Sequence, residues 1–302
     1  MYVSIRDDVL LWAWPTIEEG LRDLGLNAVE LNLDRECTVH LLSPVGGEAR
    51  ADISNPAQAE AYRAQLEAKG VRAAALMMST NFSNPDVDQE IQWVIDAVRA
   101  AERIDVEALR IDAIMHKEKE WPLEKRISVF ADCMKKVLDA TPNSKVEMGI
   151  ENHGIQGNTP EFLDSVLGSV GSDRLGITMD TGNFYWAGHP ISKVYEILEH
   201  FASRTKHTHC KNIRFPEEMR DTKREPGWEY DKRACLIRDG DIDHQRVAAL
   251  LKKAGYKRDL CIEDESFYWM KDEHRKRPGM IDDARYMKEI LVSVECGVRS
   301  AE

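Results

Sequence analysis

The sequence predicts an α/β protein that folds as a (β/α)8 TIM barrel. Apolar, strand-like runs alternate with helix-length segments along the chain, and eight such units can be recognised. Two of the runs stop abruptly at a carboxylate, Glu151 and Asp180, and a polar, glycine-containing stretch follows each. A buried parallel strand is nearly all apolar, so both carboxylates mark strand ends. The 302 residues exceed the roughly 250 that one barrel needs. Two medium domains would also fit that length, but without a long linker or composition break we expect a single domain over residues 1–302.

The first half of the chain supplies four strand-then-helix units. Thr16 is an N-cap, Gly25 a helix end, and Asn55-Pro56 a cap followed by proline at the first helical position. Residues 34–54, with one proline and two glycines, are predicted to be a loop. The predicted strands are 2–5, 28–33, 71–78 and 108–115, and the predicted helices are 16–24, 55–70, 87–104 and 123–138.

The second half supplies the other four units. The strands end at Glu151, at Asp180, at the His207/His209 run and at Glu263, which closes the segment 260–263. The helices are predicted over 160–167, 191–200, 243–254 and 281–294. Residues 213–238 form a charged insertion whose length indicates an active-site loop, serving either as a lid or as an interface.

Composition and charge exclude several classes of protein. Forty-one basic and 53 acidic residues give a net charge of −12, which argues against a large nucleic-acid surface. No apolar run approaches the 18 or so residues of a membrane span, and the first residues lack the features of a signal peptide. The six cysteines contain no CxxC pair, which is typical of reduced thiols. We therefore expect a cytoplasmic protein with neither a nucleic-acid nor a membrane partner.

Four polar residues at the ends of the last four strands form a candidate metal site. Side chains at the C-terminal ends of barrel strands converge on one cavity, and here they are Glu151, Asp180, His209 and Glu263. Three oxygen ligands and one nitrogen suit a single Mn, Mg, Co or Zn ion. The alternative is that each residue is an isolated salt bridge or helix cap, but four on neighbouring strands favour the metal site.

Two ligand choices stay open, because residues two apart on a strand share a face. His207 accompanies His209, and Glu265 accompanies Glu263. We prefer His209, which lies nearer the end of its strand, and Glu263, which directly ends its apolar run.

Three further residues are assigned to substrate binding: His153, Asn183 and Lys211. A His just beyond Glu151 can hydrogen-bond sugar hydroxyls, and a Lys two residues after His209 can stabilise an anionic oxygen. The alternatives are an exposed loop His and a surface Lys. Aromatic residues near the predicted strand ends can stack on sugar rings or simply pack. These are Trp12, Trp14, Phe82, Tyr185, Trp186, Tyr268 and Trp269.

Five short motifs, in order along most of the chain, carry a resemblance to a known superfamily. They are Ile150-Glu151-Asn152-His153-Gly154, Met179-Asp180-Thr181-Gly182-Asn183, His209-Cys210-Lys211-Asn212, Gly240-Asp241-Ile242-Asp243 and Ile262-Glu263-Asp264-Glu265. With these motifs the chain resembles the xylose isomerase-like TIM-barrel superfamily of sugar isomerases, epimerases, inosose dehydratases and endonuclease IV.

The resemblance implies that Glu151, Asp180, His209 and Glu263 bind one divalent metal ion. It also implies that Glu151 and Glu263 act as paired acid and base, moving a proton next to a carbonyl through a metal-stabilised enediolate. Asn183 stands where endonuclease IV and many epimerases carry His. The His set of a three-zinc endonuclease is also missing from the earlier strands.

We therefore predict a metal-dependent isomerase or epimerase of carbohydrate metabolism. Its substrate would be a small ketose or a related polyol ketone, and the resemblance is compatible with a homo-oligomer. The alternatives are an inosose-type dehydratase and a non-catalytic sugar-binding barrel.

Overall fold

The computed structural model describes residues 1–296, and its principal sheet contains eight parallel strands. In this sheet the strands lie in their order along the chain, with the last strand placed beside the first. Backbone bonds also join the ends of that row, because Cys210 N–H donates to Cys261 O at 2.7 Å and Glu263 N–H to Cys210 O at 3.0 Å. The predicted TIM barrel is therefore confirmed. The strands are β1 (Tyr2–Arg6), β2 (Ala28–Asn32), β3 (Arg72–Met77), β4 (Ala108–Ile111), β5 (Glu147–Glu151), β6 (Leu175–Asp180), β7 (Thr205–His209) and β8 (Asp259–Ile262).

Longer helices alternate with these strands, and their caps follow the sequence signals. Thr16 Oγ1 accepts from Glu19 N–H at 3.1 Å, and Asn55 Oδ1 accepts from Ala57 N–H at 3.0 Å. Gly25 ends the first helix at φ 61°, a left-handed conformation that glycine adopts without strain. No helix among residues 1–296 is long and apolar enough to cross a membrane. The helices are α1 (Ile17–Leu24), α2 (Pro56–Lys69), α3 (Val87–Arg103), α4 (Leu123–Ala140), α5 (Pro160–Val170), α6 (Ile191–Phe201), α7 (His244–Lys253) and α8 (Lys276–Cys296).

The prediction of a loop over residues 34–54 is wrong. This segment is an antiparallel hairpin, Thr38–Val45 paired with Glu48–Asp52. Gly46 and Gly47 turn the chain with positive φ, and Val39 and Leu42 are fully buried. Pro44 disfavours a central strand but is tolerated at the edge of a two-stranded hairpin, which explains the error. Residues 213–238 also carry structure of their own, because Asn212–Ile213 pairs with Ala234–Cys235.

The chain divides into two compact units. One contains residues 1–29 and the described residues from 179 onward; the other contains residues 30–178. Both division points fall inside strands, β2 and β6. The core of the second unit includes a stack of buried rings, with Phe82 at 5.1 Å and Phe162 at 6.2 Å from Phe130 between ring centres. The single domain over residues 1–302 stays a prediction.

Gly149 offers a test of how tightly β5 packs on β6. A Cβ there would lie 2.4 Å from Thr178 Oγ1 and 2.7 Å from Thr178 N. We expect Gly149→Ala to lower the free energy of unfolding by about 1–3 kcal/mol, because the clash is partly with backbone. Urea unfolding measures the change. The control, Gly168→Ala on the exposed face of α5, meets no atom within 4 Å and should stabilise by up to about 1 kcal/mol. Equal midpoints for the two variants would contradict this packing.

Candidate metal centre

Three of the predicted ligands meet at the ends of β6, β7 and β8. Asp180 and His209 are the last residues of their strands, and Glu263 directly follows Ile262. Each offers a ligand atom, and these atoms lie within 4.8 Å of one another. All three residues are buried. Two carboxylates and an imidazole gathered out of water form a donor set that suits the ions expected from the sequence.

Backbone donors and a lysine hold Asp180. Its Oδ1 accepts from Gly182 N–H at 2.8 Å and from Asn183 N–H at 2.7 Å, while Oδ2 lies 3.1 Å from Lys211 Nζ. Burial raises the pKa of Asp180 to about 7; the ammonium of Lys211 opposes this shift and the charge of Glu263 adds to it. The tight turn after β6 thus fixes one oxygen and directs the other towards the group.

Basic side chains surround Glu263. Its Oε1 forms an ion pair with Arg6, the last residue of β1, and its Oε2 lies 3.3 Å from both Lys211 Nζ and His209 Nδ1. Burial alone would raise the pKa of Glu263, but His209, Lys211 and Arg6 outweigh it and hold that pKa well below its ordinary value. Glu263 is therefore ionised in this setting.

The alternative ligands, Glu265 and His207, have other partners. Glu265 Oε1 accepts from Lys211 Nζ at 2.6 Å, and its side chain is 35% exposed against 4% for Glu263. His207 Nδ1 lies 3.0 Å from Asp259 Oδ1. Of the two choices that the sequence left open, the group around Asp180 contains the preferred member in each case.

The fourth predicted ligand, Glu151, belongs to the unit formed by residues 30–178. It is the buried last residue of β5 and forms an ion pair with Arg110. Arg110 also donates to Asp112 Oδ2 at 2.6 Å, and Asp112 Oδ1 lies 2.9 Å from His153 Nδ1. Burial would raise the pKa of Asp112, but Arg110 and His153 together hold it lower than usual. Ligand atoms of Asp112, Glu151 and His153 also lie within 4.8 Å of one another.

The three residues assigned to substrate binding differ in exposure. His153 has a side chain that is 46% exposed, whereas Lys211 and Asn183 are buried. Lys211 is therefore not a surface lysine. Asn183 begins a short helix, Asn183–Trp186, and its backbone N–H is committed to Asp180.

The sequence analysis did not identify three residues whose side chains contact the candidate ligands or their neighbours. Arg6 ends β1, so the strand-end argument used for Glu151 could have found it. Arg110 lies inside the otherwise apolar strand β4, where a charge is itself a signal. Tyr230, whose hydroxyl donates to Glu265 Oε2 at 2.6 Å, belongs to the insertion and carries no local signal.

A cavity of about 280 Å³ adjoins the three-ligand group and contains Glu263 in its wall. Trp12, Tyr268 and Trp269 also line it. Of the other aromatics, Phe82 and Tyr185 are buried packing residues, and Trp14 donates to Asp23 at 2.8 Å. A larger cavity of about 540 Å³ lies beside Cys235 but is lined by none of the candidate ligands. The smaller one is therefore the better candidate for substrate.

Fold and site together define a class: a TIM barrel with a candidate metal centre at the C-terminal ends of its strands. The chain belongs to the xylose isomerase-like TIM-barrel family, whose model matches residues 19–290. This confirms the family that the five motifs indicated.

Two curated relatives match part of the chain. An uncharacterised protein of Methanocaldococcus jannaschii is 26% identical over 185 residues, which is 58% of this chain and 57% of that protein. An inosose dehydratase of Clostridium botulinum is 28% identical over 156 residues, which is 49% of this chain and 48% of that protein. The chain thus spans about half the length of the curated relatives it matches.

Solved structures share the fold over the whole chain. A crystal structure of the IolI protein with a zinc atom has a TM-score of 0.71 at 15% identity, and the match covers 100% of both chains. A structure of L-ribulose 3-epimerase has a TM-score of 0.67 at 15% identity and covers 100% of this chain and 99% of that one. At such identities the likeness establishes the fold alone.

His244 links the site to pH. Its Nε2 lies 2.9 Å from Thr181 Oγ1, which also donates to Lys211 O at 3.1 Å, so the imidazole braces the loop after β6. Burial lowers the pKa of His244 from 6.5 to about 4. As pH falls, the His244 imidazole is therefore protonated in the unfolded chain before it is protonated in the folded protein. Its contribution to stability is complete above pH 6.5 and is lost as pH falls towards 4.

We expect the wild-type protein to lose about 2 kcal/mol more unfolding free energy than His244→Gln between about pH 7 and pH 5. Urea unfolding at several pH values measures this difference. His200→Gln, at an exposed position on α6, is the control and should follow the wild type. Parallel pH profiles for wild type and His244→Gln would contradict the burial of a neutral imidazole.

Proposed function

We propose that this protein is a divalent-metal-dependent sugar isomerase or epimerase that acts on a small ketose or a related polyol ketone. The observation that carries the proposal is the buried group of Asp180, His209 and Glu263 beside a cavity of small-molecule size. Membership of the xylose isomerase-like TIM-barrel family also supports the proposal. A substrate-sized cavity next to convergent ionisable groups is the usual mark of an active site.

Glu151 completes the proposed set of four ligands. In the ladder between β5 and β6 it pairs with Thr178, and Asp180 follows Thr178 by two residues. Residues two apart on a strand project from the same face. We therefore expect Glu151, at the C-terminal end of β5, and Asp180, at the C-terminal end of β6, to project from the same face of the sheet. The four residues would hold one Mn, Mg, Co or Zn ion.

The proposed chemistry is proton transfer between two glutamates and the substrate. One glutamate removes a proton from the carbon next to the carbonyl, and the other returns a proton to that carbon or its neighbour, so the reaction has no net oxidation. When bound, the metal ion would polarise the carbonyl and stabilise negative charge on oxygen. His153, Asn183 and Lys211 would contact the hydroxyl and carbonyl oxygens of the substrate.

A metal-dependent dehydratase is the second candidate, and the partial similarity to an inosose dehydratase favours it. Its first step is the same proton removal. The electron pair then expels the hydroxyl on the next carbon, which takes up the proton from that glutamate and leaves as water. A small-molecule substrate, a cytoplasmic location and a homo-oligomeric state remain predictions for both candidates.

Proton NMR in D2O with a panel of ketoses and inososes separates the candidates. Deuterium entering a carbon next to the carbonyl, with no loss of water, is the expected result and identifies the substrate. Water loss would replace the isomerase with the dehydratase. Ligand binding without exchange or metal dependence would favour a non-catalytic sugar-binding barrel.

Glutamine substitution tests the two proposed acid–base residues. We expect Glu151→Gln and Glu263→Gln each to lower the exchange rate by about 10²–10⁴-fold, because the amide cannot take up or return the proton. Circular dichroism and urea unfolding check that the fold persists. Glu161→Gln, at an exposed position in the first turn of α5, is the matched control and should exchange like the wild type. Near-normal exchange by either variant would show that the substituted glutamate is not an acid–base residue.

Metal removal tests the proposed cofactor. We expect dialysis against a chelator to abolish exchange, and one of Mn²⁺, Mg²⁺, Co²⁺ or Zn²⁺ to restore it, because the ligands are buried acids and an imidazole. Isothermal titration should find one ion per chain. Full activity in a protein that elemental analysis finds metal-free would overturn the cofactor.

A further inference from the structure

The insertion is firmly anchored to the rest of its unit. The Arg224 side chain is buried and donates to Tyr185 O at 3.2 Å and His189 O at 3.0 Å. Its guanidinium lies 4.5 Å from the ring centre of Tyr185 and 4.2 Å from that of Phe215. Arg224 O would lie only 2.0 Å from a Cβ on Gly188, so the backbones approach too closely for any other residue there. Such contacts indicate a fixed platform.

From this platform the chain leads to Tyr230. Gly227 N–H donates to Trp186 O at 2.9 Å, and Glu229 adopts a left-handed conformation at φ 50° to begin the short helix Tyr230–Arg233. Glu229 also accepts from Arg233 at 2.7 Å, which secures that turn. The hydroxyl of Tyr230 is thereby directed to Glu265 Oε2 at 2.6 Å.

Glu265 divides its two oxygens between two donors. Oε2 accepts from Tyr230, and Oε1 accepts from Lys211 Nζ at 2.6 Å. The same ammonium lies 3.1 Å from Asp180 Oδ2 and 3.3 Å from Glu263 Oε2. A lysine ammonium sits on a flexible four-carbon stem, so its location depends on the acceptors around it. Here Glu265 is the acceptor outside the ligand group.

We propose that Tyr230 and Glu265 are positioning residues for Lys211. Tyr230 orients the Glu265 carboxylate, and Glu265 draws the ammonium away from the oxygens of Asp180 and Glu263. Lys211 then stands beside the ligand group, ready to meet a substrate oxygen. The inference rests on the proposed function, and it makes the insertion a working part of the active site.

Mn²⁺ affinity tests the inference without relying on turnover. Loss of the Tyr230 hydroxyl should let the ammonium settle on the ligand oxygens, where it competes with the ion. We expect Tyr230→Phe to weaken Mn²⁺ binding about threefold and Glu265→Gln about tenfold, whereas Lys211→Met should strengthen it. In the Lys211→Met background, Tyr230→Phe should have no further effect. Lys211→Gln serves if Lys211→Met fails to fold.

Tyr185→Phe is the matched control, because it removes a similar hydrogen bond at 3.0 Å, from Tyr185 to Asp241, without touching Lys211. It should leave Mn²⁺ affinity unchanged.

With a substrate that the enzyme turns over, Tyr230→Phe should lower kcat about tenfold and change KM less, because the Lys211 ammonium acts on a substrate oxygen that gains negative charge in the transition state.

The outcomes separate the two proposals. Equal loss of affinity from Tyr230→Phe with and without Lys211 would indicate a purely structural tyrosine and overturn this inference alone. The expected Mn²⁺ pattern, without turnover of any sugar, would retain the inference and overturn the proposed function. A wild-type protein that binds none of Mn²⁺, Mg²⁺, Co²⁺ and Zn²⁺ would overturn both.

Discussion

The structure depends on the cost of keeping carboxylates away from water. Asp180 and Glu263 are buried at strand ends, where an isolated negative charge would be strongly disfavoured. Within their unit the cost is offset by Lys211, by Arg6 and by the backbone donors of Gly182 and Asn183. In the other unit Arg110 does the same for Glu151. Every proposed carboxylate ligand thus has a cation within ion-pair distance, which explains charged residues in otherwise apolar strands.

The groups that offset the burial of these carboxylates also fix the orientation of the candidate ligands. A group of carboxylates held only by one another would bind cations with little selectivity of position. Here the turn after β6 fixes Asp180 through two backbone bonds, and Arg6 fixes one oxygen of Glu263. Ligands whose orientation is set by neighbouring hydrogen bonds lose less freedom on binding an ion or a substrate. Rigid strands provide the geometry, and the charged neighbours maintain it.

Much of this could be predicted from sequence because the relevant signals are local. Alternation of apolar runs, caps such as Thr16 and Asn55, and carboxylates that end apolar runs are each readable within a few residues. The hairpin over residues 38–52 was missed because Pro44 argues against a strand unless the strand is known to lie at an edge. Tyr230 could not have been found, since its partner Glu265 lies 35 residues further along and no periodicity links them. Pairings of that kind are fixed by tertiary packing alone.

The hydrogen bond from Tyr230 to Glu265 has an evolutionary consequence. The strands that carry the ligands must keep their register, so they can change little without loss of the barrel. A surface insertion is free of that constraint and can be lengthened, shortened or replaced. If a lysine beside the ligands takes its place from such an insertion, descendants of one barrel can diverge in substrate preference by exchanging a loop. Selection would then act on chemistry through a segment that contributes no strand to the barrel.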